Sequence, residues 1–307
     1  MAAVYATRLV LLVSMVGVAF APAAVAVAQP NGRLPVLSAE AVLLLDPEGR
    51  TLYAKNAAAD RAPASLVKLM TLYLAFEALE ANLADLDELV PVSPPAAATP
   101  RYRMGLRANS QVPLHVLLEG VAIASANDAA AALAERLAGD EATFVGWMNE
   151  RAQHLGLTAT RFANPHGLPD PAQRSTARDL AQLTGRLLAD YPMSRPLLGG
   201  QTFVFNGRVY ARHIPLFNDP GGVQALKTGF TNEAGYNLAV SAWRNGQQFL
   251  MIVLGARSRA QSFLDARRLL RYGFVESGLE QPVEAKPRAT PRRTPPRRPT
   301  ATPARLQ

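Results

Sequence analysis

Three short stretches of this 307-residue sequence carry side chains suited to nucleophilic and acid–base chemistry. They are Ser65-Leu66-Val67-Lys68, Ser125-Ala126-Asn127 and Lys227-Thr228-Gly229. A serine hydroxyl needs a neighbouring base to become a nucleophile, and a lysine three residues later lies on the same face of a helix. A lysine in a dry, electropositive pocket can lose its proton near neutral pH. The first stretch therefore predicts Ser65 as a nucleophile and Lys68 as its base.

The other two stretches offer groups that relay protons and bind an extended peptide. Ser125 and Asn127 place a hydroxyl and a carboxamide two residues apart, although such residues between helices commonly serve as caps. Lys227 and Thr228 can present a cation and a hydroxyl to a terminal carboxylate. Gly229 allows a peptide to approach and pair with a strand edge. Each stretch alone arises by chance in many proteins, but the three together, in this order, predict one catalytic constellation.

Hydrophobic periodicity and turn residues predict the elements that carry these stretches. An opening hairpin comprises residues 41–46 and 51–55, and a helix over 66–79 follows with Ser65 at its start. Four more helices are predicted over residues 114–122, 128–137, 141–155 and 176–188. Five strands then follow over 202–206, 209–213, 225–227, 236–243 and 249–254, with Asn245-Gly246 as a hairpin turn between the last two. A final helix covers 260–272.

This order of elements predicts an α/β (α+β) fold. The opening hairpin and the late strands can share one antiparallel sheet flanked by helices, and the middle helices form an all-helical lobe inserted between them. The sequence shows no internal repeat, and residues 29–281 are expected to form a single domain.

Composition excludes several classes of protein and site. The chain has no cysteine, which excludes disulfides, a cysteine nucleophile and cysteine-ligated metals. Its four histidines lack metal-ligand spacing, so no metal or other cofactor is expected. The net charge of +8 comes from Arg8 and seven basic residues after position 285, and the body between them is formally neutral. This distribution argues against nucleic-acid binding.

The two ends differ from the body in composition. Arg8, the apolar run 9–20 and Ala26-Val27-Ala28 are typical of a cleaved signal peptide over 1–28, with a retained anchor as the alternative. No later segment of the sequence is long and apolar enough to span a bilayer. Residues 282–307 are rich in proline and arginine and are expected to be disordered. This tail is either simply solvated or adheres weakly to anionic lipid or cell-wall polymer.

The three stretches and the residues around them resemble a known family. The order S-x-x-K, S-x-N and K-T-G is the motif set of penicillin-binding proteins and β-lactamases. The chain resembles the low-molecular-mass penicillin-binding proteins, specifically the D-alanyl-D-alanine carboxypeptidases. The segments that carry this resemblance are 63–71, 125–129, 164–168, 175–180, 227–231 and 235–238. Two features depart from it: Ala126 replaces a usual glycine, and the chain ends soon after the catalytic domain.

The resemblance implies a β-lactamase/transpeptidase-like fold and a serine D-Ala-D-Ala carboxypeptidase that trims peptidoglycan stem pentapeptides. Ser65, Lys68 and Ser125 would be catalytic, with an acyl-enzyme on Ser65. The substrate-binding residues would be Asn127, Lys227, Thr228, Gly229 and Arg257. An alternative places Arg257 as an ordinary surface arginine, and His166 is expected to shape its loop. β-Lactams would be covalent inhibitors, and the protein would act in the periplasm or at the outer face of the inner membrane.

Three alternatives follow from the same residues. A class A β-lactamase carries a deacylating glutamate on a loop. The corresponding region here, 164–178, has Asp170 as its one acidic residue and lacks Glu-x-x-Leu-Asn, which disfavours that activity. A D,D-endopeptidase that cuts peptidoglycan crosslinks would use the same residues on a larger substrate. A non-catalytic sensor of β-lactams or peptidoglycan would not need all of Ser65, Lys68, Ser125, Asn127 and Lys227.

Overall fold

A five-stranded antiparallel sheet lies at the centre of the protein, in a computed structural model that describes residues 34–100 and 102–281. The strands of the described residues are β1 Ala41–Leu45, β2 Thr51–Lys55, β3 Leu89–Pro91, β4 Gln111–Pro113, β5 Thr202–Phe205, β6 Arg208–Ala211, β7 Val223–Thr231, β8 Gly235–Arg244 and β9 Gln247–Ala256. The central sheet has the order β2-β1-β9-β8-β7, so the opening hairpin and the late strands share one sheet, as predicted.

Helices cover both faces of this sheet. They are α1 Lys68–Glu80, α2 Pro94–Ala98, α3 Leu114–Ala122, α4 Asn127–Ala138, α5 Glu141–His154, α6 Ala177–Asp190, α7 Ser194–Gly199 and α8 Arg259–Glu276, with short 3-10 helices at Ala64–Val67 and Pro215–Asn218. All the predicted helices are confirmed, and each of their ends lies within four residues of the predicted position. The lobe containing α2 to α5 is inserted in the chain between β2 and β7, as the sequence predicts, and besides its helices it carries the two-stranded sheet β3–β4.

Strand β1 shows why both faces of the sheet are covered. Side chains alternate across a strand, and both alternating sets are apolar here. Ala41 and Leu43 pack in the large core that includes α1, α3, α4 and α6, whereas Val42 and Leu44 pack in the smaller core beneath α8. Sequences buried on both faces read as continuous apolar runs. The sheet is therefore the middle of three layers, and its end strand β7 borders the helical lobe.

Two predicted strands lie elsewhere than expected. The strands predicted over 202–206 and 209–213 do form, as β5 and β6, but they pair only with each other in a separate two-stranded sheet. One face of this small hairpin is exposed at Val204 and Val209, while Phe203 and Tyr210 stack on its other face. The alternation of apolar side chains predicts each strand but does not specify the sheet that it joins.

Some short elements were not predicted from the sequence, and two predicted segments cannot be compared with the structure. Short elements β3, β4, α2 and α7 were not predicted, because three to six residues carry too little periodicity. None of the helices in the described part combines the length and apolar composition of a bilayer span. The predicted signal peptide (1–28) and basic tail (282–307) lie outside the described residues.

Candidate active site

Ser65 lies in a tight turn immediately before a helix. The turn is the 3-10 helix Ala64–Val67, and α1 begins directly after it at Lys68. Ala64 has a φ of 50°, a left-handed conformation that is uncommon for a residue with a side chain. The side-chain nitrogen of Asn237, Nδ2, donates to the backbone carbonyls of Ala62 and Pro63 at 3.1 and 3.2 Å. Strand β8 therefore holds the chain in the bend that exposes Ser65.

Two glycines allow neighbouring segments to lie against this turn. A side chain at Gly167 would collide with the carbonyl of Ala64, and its φ of 85° also favours glycine. A Cβ at Gly229 would lie 3.1 Å from both the Pro63 carbonyl oxygen and the Ser65 amide nitrogen. The loop that contains Gly167 and the strand β7 therefore both lie against the backbone of residues 63 to 65.

Lys68 is fully buried and reaches three oxygen atoms. Its Nζ lies 3.2 Å from Ser65 Oγ and 2.7 Å from Asn127 Oδ1, and it also contacts the His166 carbonyl. The last two atoms are acceptors, and the Asn127 orientation is supported by its Nδ2 donating to the Pro100 carbonyl at 3.0 Å. A neutral amine has two N–H donors and one lone pair. When Lys68 is neutral, both donors are used by these acceptors, and the lone pair faces the Ser65 hydroxyl.

The surroundings of Lys68 make this neutral form accessible near pH 7. Burial lowers its pKa to about 7, and the nearby Asp128 carboxylate opposes that shift. His166 stays neutral for a related reason: burial, and then the charge of Lys68, lower its pKa to about 3. Its backbone carbonyl binds Lys68, while its ring accepts a hydrogen bond from Leu168 N at 3.3 Å within the same loop.

Ser125 and Asn127 lie between two helices of the lobe, as predicted. Helix α3 ends at Ala122 and α4 begins at Asn127. The capping role considered for them is wrong, because Ala126 occupies the N-cap position and no side chain caps α4. Ser125 instead has a φ of 55°, and its hydroxyl accepts a hydrogen bond from Lys227 Nζ at 2.7 Å.

Strand β7 brings the third stretch to the site. Lys227, Thr228 and Gly229 lie within β7 rather than at its end, because the strand continues to Thr231. It is the last strand of the central sheet, where it pairs with β8 alone. Lys227 is buried, and burial, followed by the charges of Lys68 and Arg212, lowers its pKa well below the usual value.

A cleft of about 800 Å³ lies over these groups. Of the predicted site residues, it is lined by Ser65, Ser125, Thr228 and Gly229, while the buried Lys68, Asn127 and Lys227 lie beneath it. The structure thus brings together seven of the eight predicted residues in one contact network. The eighth, Arg257, is exposed after β9 and does not line this cleft, so its role in substrate binding stays a prediction.

Three positioning residues had no role assigned from the sequence. Asp128 is buried and accepts hydrogen bonds from the backbone amides of Met104, Gly105 and Leu106 at 2.8 to 3.0 Å. Asn237 holds the Ser65 turn, and Arg212 donates to the carbonyls of Gly200, Ala122 and Leu226. Asn237 lies in a strand that is mostly apolar, a signal that sequence inspection can detect. Arg212 gives no such signal.

Comparison with known proteins places this geometry in a family. The sequence profile of the D-alanyl-D-alanine carboxypeptidase family matches residues 24–258. The chain belongs to this family. It is 40% identical over 263 residues to the D-alanyl-D-alanine carboxypeptidase DacC of Escherichia coli, which covers 83% of this chain and 66% of that protein. The chain thus spans just under two thirds of the length of this curated relative.

Solved structures of the family share the fold. Penicillin-binding protein 5 from Haemophilus influenzae is 33% identical, with a TM-score of 0.77 over 79% of this chain and 72% of that chain. Penicillin-binding protein D2 from Listeria monocytogenes, in its cefotaxime-bound form, is 32% identical, with a TM-score of 0.69 over 79% of this chain and 99% of that chain. The predicted β-lactamase/transpeptidase-like fold and the predicted family are therefore confirmed.

Proposed function

We propose that the protein is a serine D-Ala-D-Ala carboxypeptidase that removes the terminal D-alanine from peptidoglycan stem peptides. The observation that carries this proposal is the pairing of Ser65 with Lys68 and of Ser125 with Lys227 at the edge strand β7. Membership of the D-alanyl-D-alanine carboxypeptidase family supports the same activity.

Acylation begins at the Ser65 hydroxyl. The neutral amine of Lys68 takes the proton as Ser65 Oγ attacks the carbonyl between the last two D-alanines. The carbonyl oxygen becomes an oxyanion, and the backbone N–H groups of Ser65 and Phe230 are the proposed donors that stabilise it. Because the donors of Lys68 are already used by Asn127 and His166, its lone pair is pre-aligned with the hydroxyl that it deprotonates.

Departure of D-alanine needs a proton on its nitrogen. Ser125, whose hydroxyl lines the cleft and accepts a hydrogen bond from Lys227, gives its proton to the leaving amine. The proton that Lys68 took from Ser65 then restores the Ser125 hydroxyl, and Lys68 is neutral again. The C–N bond breaks and the acyl-enzyme on Ser65 forms. Water then attacks the ester, with Lys68 again as the proposed base, which releases the shortened peptide and restores the serine hydroxyl.

The terminal carboxylate of the substrate would bind near β7. Thr228 lines the cleft and Lys227 lies directly behind it, so an incoming carboxylate would meet a hydroxyl and an adjacent amine. A carboxylate in this position raises the pKa of Lys227 and favours its cationic form. Asn127 would orient the substrate, and Arg257 is proposed as a second carboxylate contact.

The decisive experiment measures release of free D-alanine from a pentapeptide ending in D-Ala-D-Ala. The wild type should release D-alanine, and Ser65→Ala should abolish release and acylation by a labelled penicillin. Ser38→Ala serves as a matched control outside the cleft. Acylation of the wild type without D-alanine release would instead favour a D,D-endopeptidase or a sensor, and crosslinked dimers would then be tested as substrates. Absence of both acylation and hydrolysis would overturn the proposal.

The proposed substrate and inhibitors have consequences for location and partners. Peptidoglycan lies outside the cytoplasmic membrane, so we propose that the protein is exported and that its predicted signal peptide is removed. Amino-terminal sequencing of the mature protein tests this cleavage. β-Lactams are proposed covalent inhibitors, supported by the cefotaxime-bound form of the Listeria monocytogenes relative. A peripheral contact of the basic tail with membrane or cell wall remains a proposal from composition.

A further inference from the structure

The cleft over Ser65 has a strongly cationic wall. Its lining contains no aspartate or glutamate among the described residues, yet it includes four arginines. They are Arg103, Arg208, Arg212 and Arg259. The chain outside its predicted tail and signal peptide is formally neutral, so this concentration of one sign of charge is local to the cleft.

The four arginines differ in how much of their hydrogen-bonding capacity is used. Arg212 is largely committed to backbone carbonyls, and Arg259 donates to the His213 carbonyl at 2.8 Å. Arg103 and Arg208 are exposed. Within residues 34–100 and 102–281, neither of these two forms an ion pair with a carboxylate, whereas Arg174 and Arg267, for example, do.

Tyr210 connects the two segments that carry Arg103 and Arg208. The guanidinium of Arg208 lies 4.9 Å from the centre of the Tyr210 ring. The hydroxyl of the same tyrosine donates to the carbonyl of Met104, the residue that follows Arg103. The small β5–β6 hairpin and the segment 102–106 are thus joined through one side chain, and each contributes an arginine to the lining of the cleft.

This wall is fixed to the proposed catalytic residues. Asn127 N donates to the Tyr102 carbonyl at 2.6 Å, and Asp128 accepts three backbone amides of the segment 104–106. Arg103 lies between these two anchors. The position of the cationic wall relative to Asn127 is therefore set by backbone hydrogen bonds.

We propose that Arg103 and Arg208 bind a second carboxylate of the substrate, carried by a residue on the amino-terminal side of the cleaved bond. This inference rests on the proposed carboxypeptidase function. A carboxypeptidase of this type has one residue beyond the cleaved bond, so the rest of a cleft of about 800 Å³ receives the amino-terminal part. Guanidinium groups are suited to carboxylates. The preferred substrate class is therefore a peptide with an anionic side chain upstream of D-Ala-D-Ala.

Matched synthetic peptides test this preference. N-acetylated Xaa-D-Ala-D-Ala peptides would carry a side-chain carboxylate of three lengths at Xaa (glutamate, 2-aminoadipate, 2-aminopimelate), each paired with its carboxamide. We expect kcat/KM for at least one carboxylate to exceed that of its carboxamide by about threefold to tenfold at low salt, because partly exposed ion pairs are modest in strength. Raising the ionic strength should reduce this ratio.

Variants assign the preference to the two arginines. Arg103→Gln with Arg208→Gln should bring the carboxylate-to-carboxamide ratio close to one, while Arg161→Gln, an exposed arginine outside the cleft, should leave it unchanged. Acylation by labelled penicillin should persist in the wild type, the double glutamine variant and Arg161→Gln. Such acylation shows that these three proteins are folded. Arg208→Glu should reverse the preference toward a lysine at Xaa.

The possible outcomes distinguish a failure of this inference from a failure of the proposed carboxypeptidase function. If no peptide yields D-alanine, the proposed function fails. If carboxylate and carboxamide peptides release D-alanine at equal rates for all three lengths, the function stands and the second carboxylate site is overturned. A preference that survives in the double glutamine variant would also overturn the assignment to Arg103 and Arg208.

Discussion

The site contains two serine–lysine pairs that are built in different ways. Ser65 and Lys68 are three residues apart in the chain, and one helical turn brings Nζ to 3.2 Å from Oγ. Ser125 and Lys227 are 102 residues apart, and their 2.7 Å contact depends on how the helical lobe packs against the edge strand β7. The first pair is a property of local sequence, whereas the second is a property of the whole fold.

The two lysines also differ in their electrostatic surroundings. Burial lowers the pKa of both, but Asp128 partly offsets the shift at Lys68. At Lys227 the neighbouring charges, Lys68 and Arg212, are both positive and lower its pKa further. Lys68 is thus suited to act as a base near pH 7, whereas the cation-rich surroundings of Lys227 attract an anion. This difference assigns the first lysine to proton transfer and the second to substrate binding.

The largest effect is expected when the first pair is broken. Lys68→Met keeps the side-chain volume but removes the lone pair, so acylation of Ser65 by labelled penicillin should slow by about 10³-fold. The variant should remain folded, because removing the desolvation cost of the buried amine offsets the loss of its hydrogen bonds to Asn127 and His166. Stopped-flow acylation and thermal unfolding measure the two quantities. Lys55→Met, in β2 and outside the cleft, is the matched control, and retention of rapid acylation in Lys68→Met would contradict the assigned base.

Breaking the second pair should have a smaller effect. Lys227→Met should lower kcat/KM for D-alanine release by about 10²-fold, since a charge-assisted hydrogen bond contributes about 1.5–3 kcal/mol. The loss should fall mainly on KM if Lys227 binds the carboxylate. Steady-state kinetics on the pentapeptide separate the two parameters. A loss equal to that of Lys68→Met, and confined to kcat, would show instead that Lys227 acts chiefly in the chemical step.

The pH dependence of the acylation rate is a third test of Lys68 as the proposed base. Lys68 must be neutral to accept the Ser65 proton, and its pKa is lowered to about 7. The rate should therefore be level above that value and fall by about tenfold per pH unit below it, as the amine becomes protonated. Acylation rates from pH 5.5 to 8.5 define the profile. A flat profile through pH 7 would exclude Lys68 as the titrating base.

The contrast between the pairs explains what the sequence could predict. The opening hairpin, the long helices and the Ser65–Lys68 pair follow from local periodicity and spacing. The relative placement of Ser125 and Lys227 followed only from the family resemblance, because no local rule joins residues 102 positions apart. The β5–β6 hairpin was assigned to the wrong sheet, since alternation specifies a strand without specifying its partner.

Backbone contacts between distant segments, and unusual backbone conformations, were the features that the sequence predicted least well. The approach of Gly167 to the Ala64 carbonyl and the left-handed φ of Ser125 depend on segments distant in the chain. Arg257, whose position after the last strand suggested a site residue, is exposed and lies outside the cleft lining, so its role in carboxylate binding stays a prediction. Spacing along the chain cannot specify the direction of a side chain after a strand ends.

Ala126 joins the two pairs, because its neighbours Ser125 and Asn127 contact Lys227 and Lys68 respectively. A methyl group here, in place of the usual glycine, could narrow the pocket. In the structure Ala126 is fully buried, does not line the cleft, and has a φ of −68°, which any residue can adopt. The left-handed position is Ser125. The methyl group therefore packs inside the lobe and leaves both polar neighbours in place.

Ala126→Gly should consequently change acylation by less than about twofold while lowering the free energy of unfolding by about 1 kcal/mol, from the lost methyl burial and the added chain entropy. Urea unfolding and penicillin acylation measure the two effects. Ala130→Gly, a buried alanine inside α4, should lose similar stability. A tenfold change in the acylation rate of Ala126→Gly, without a matching change in Ala130→Gly, would contradict this expectation. It would show that Ala126 affects the chemistry of the two serine–lysine pairs as well as their packing.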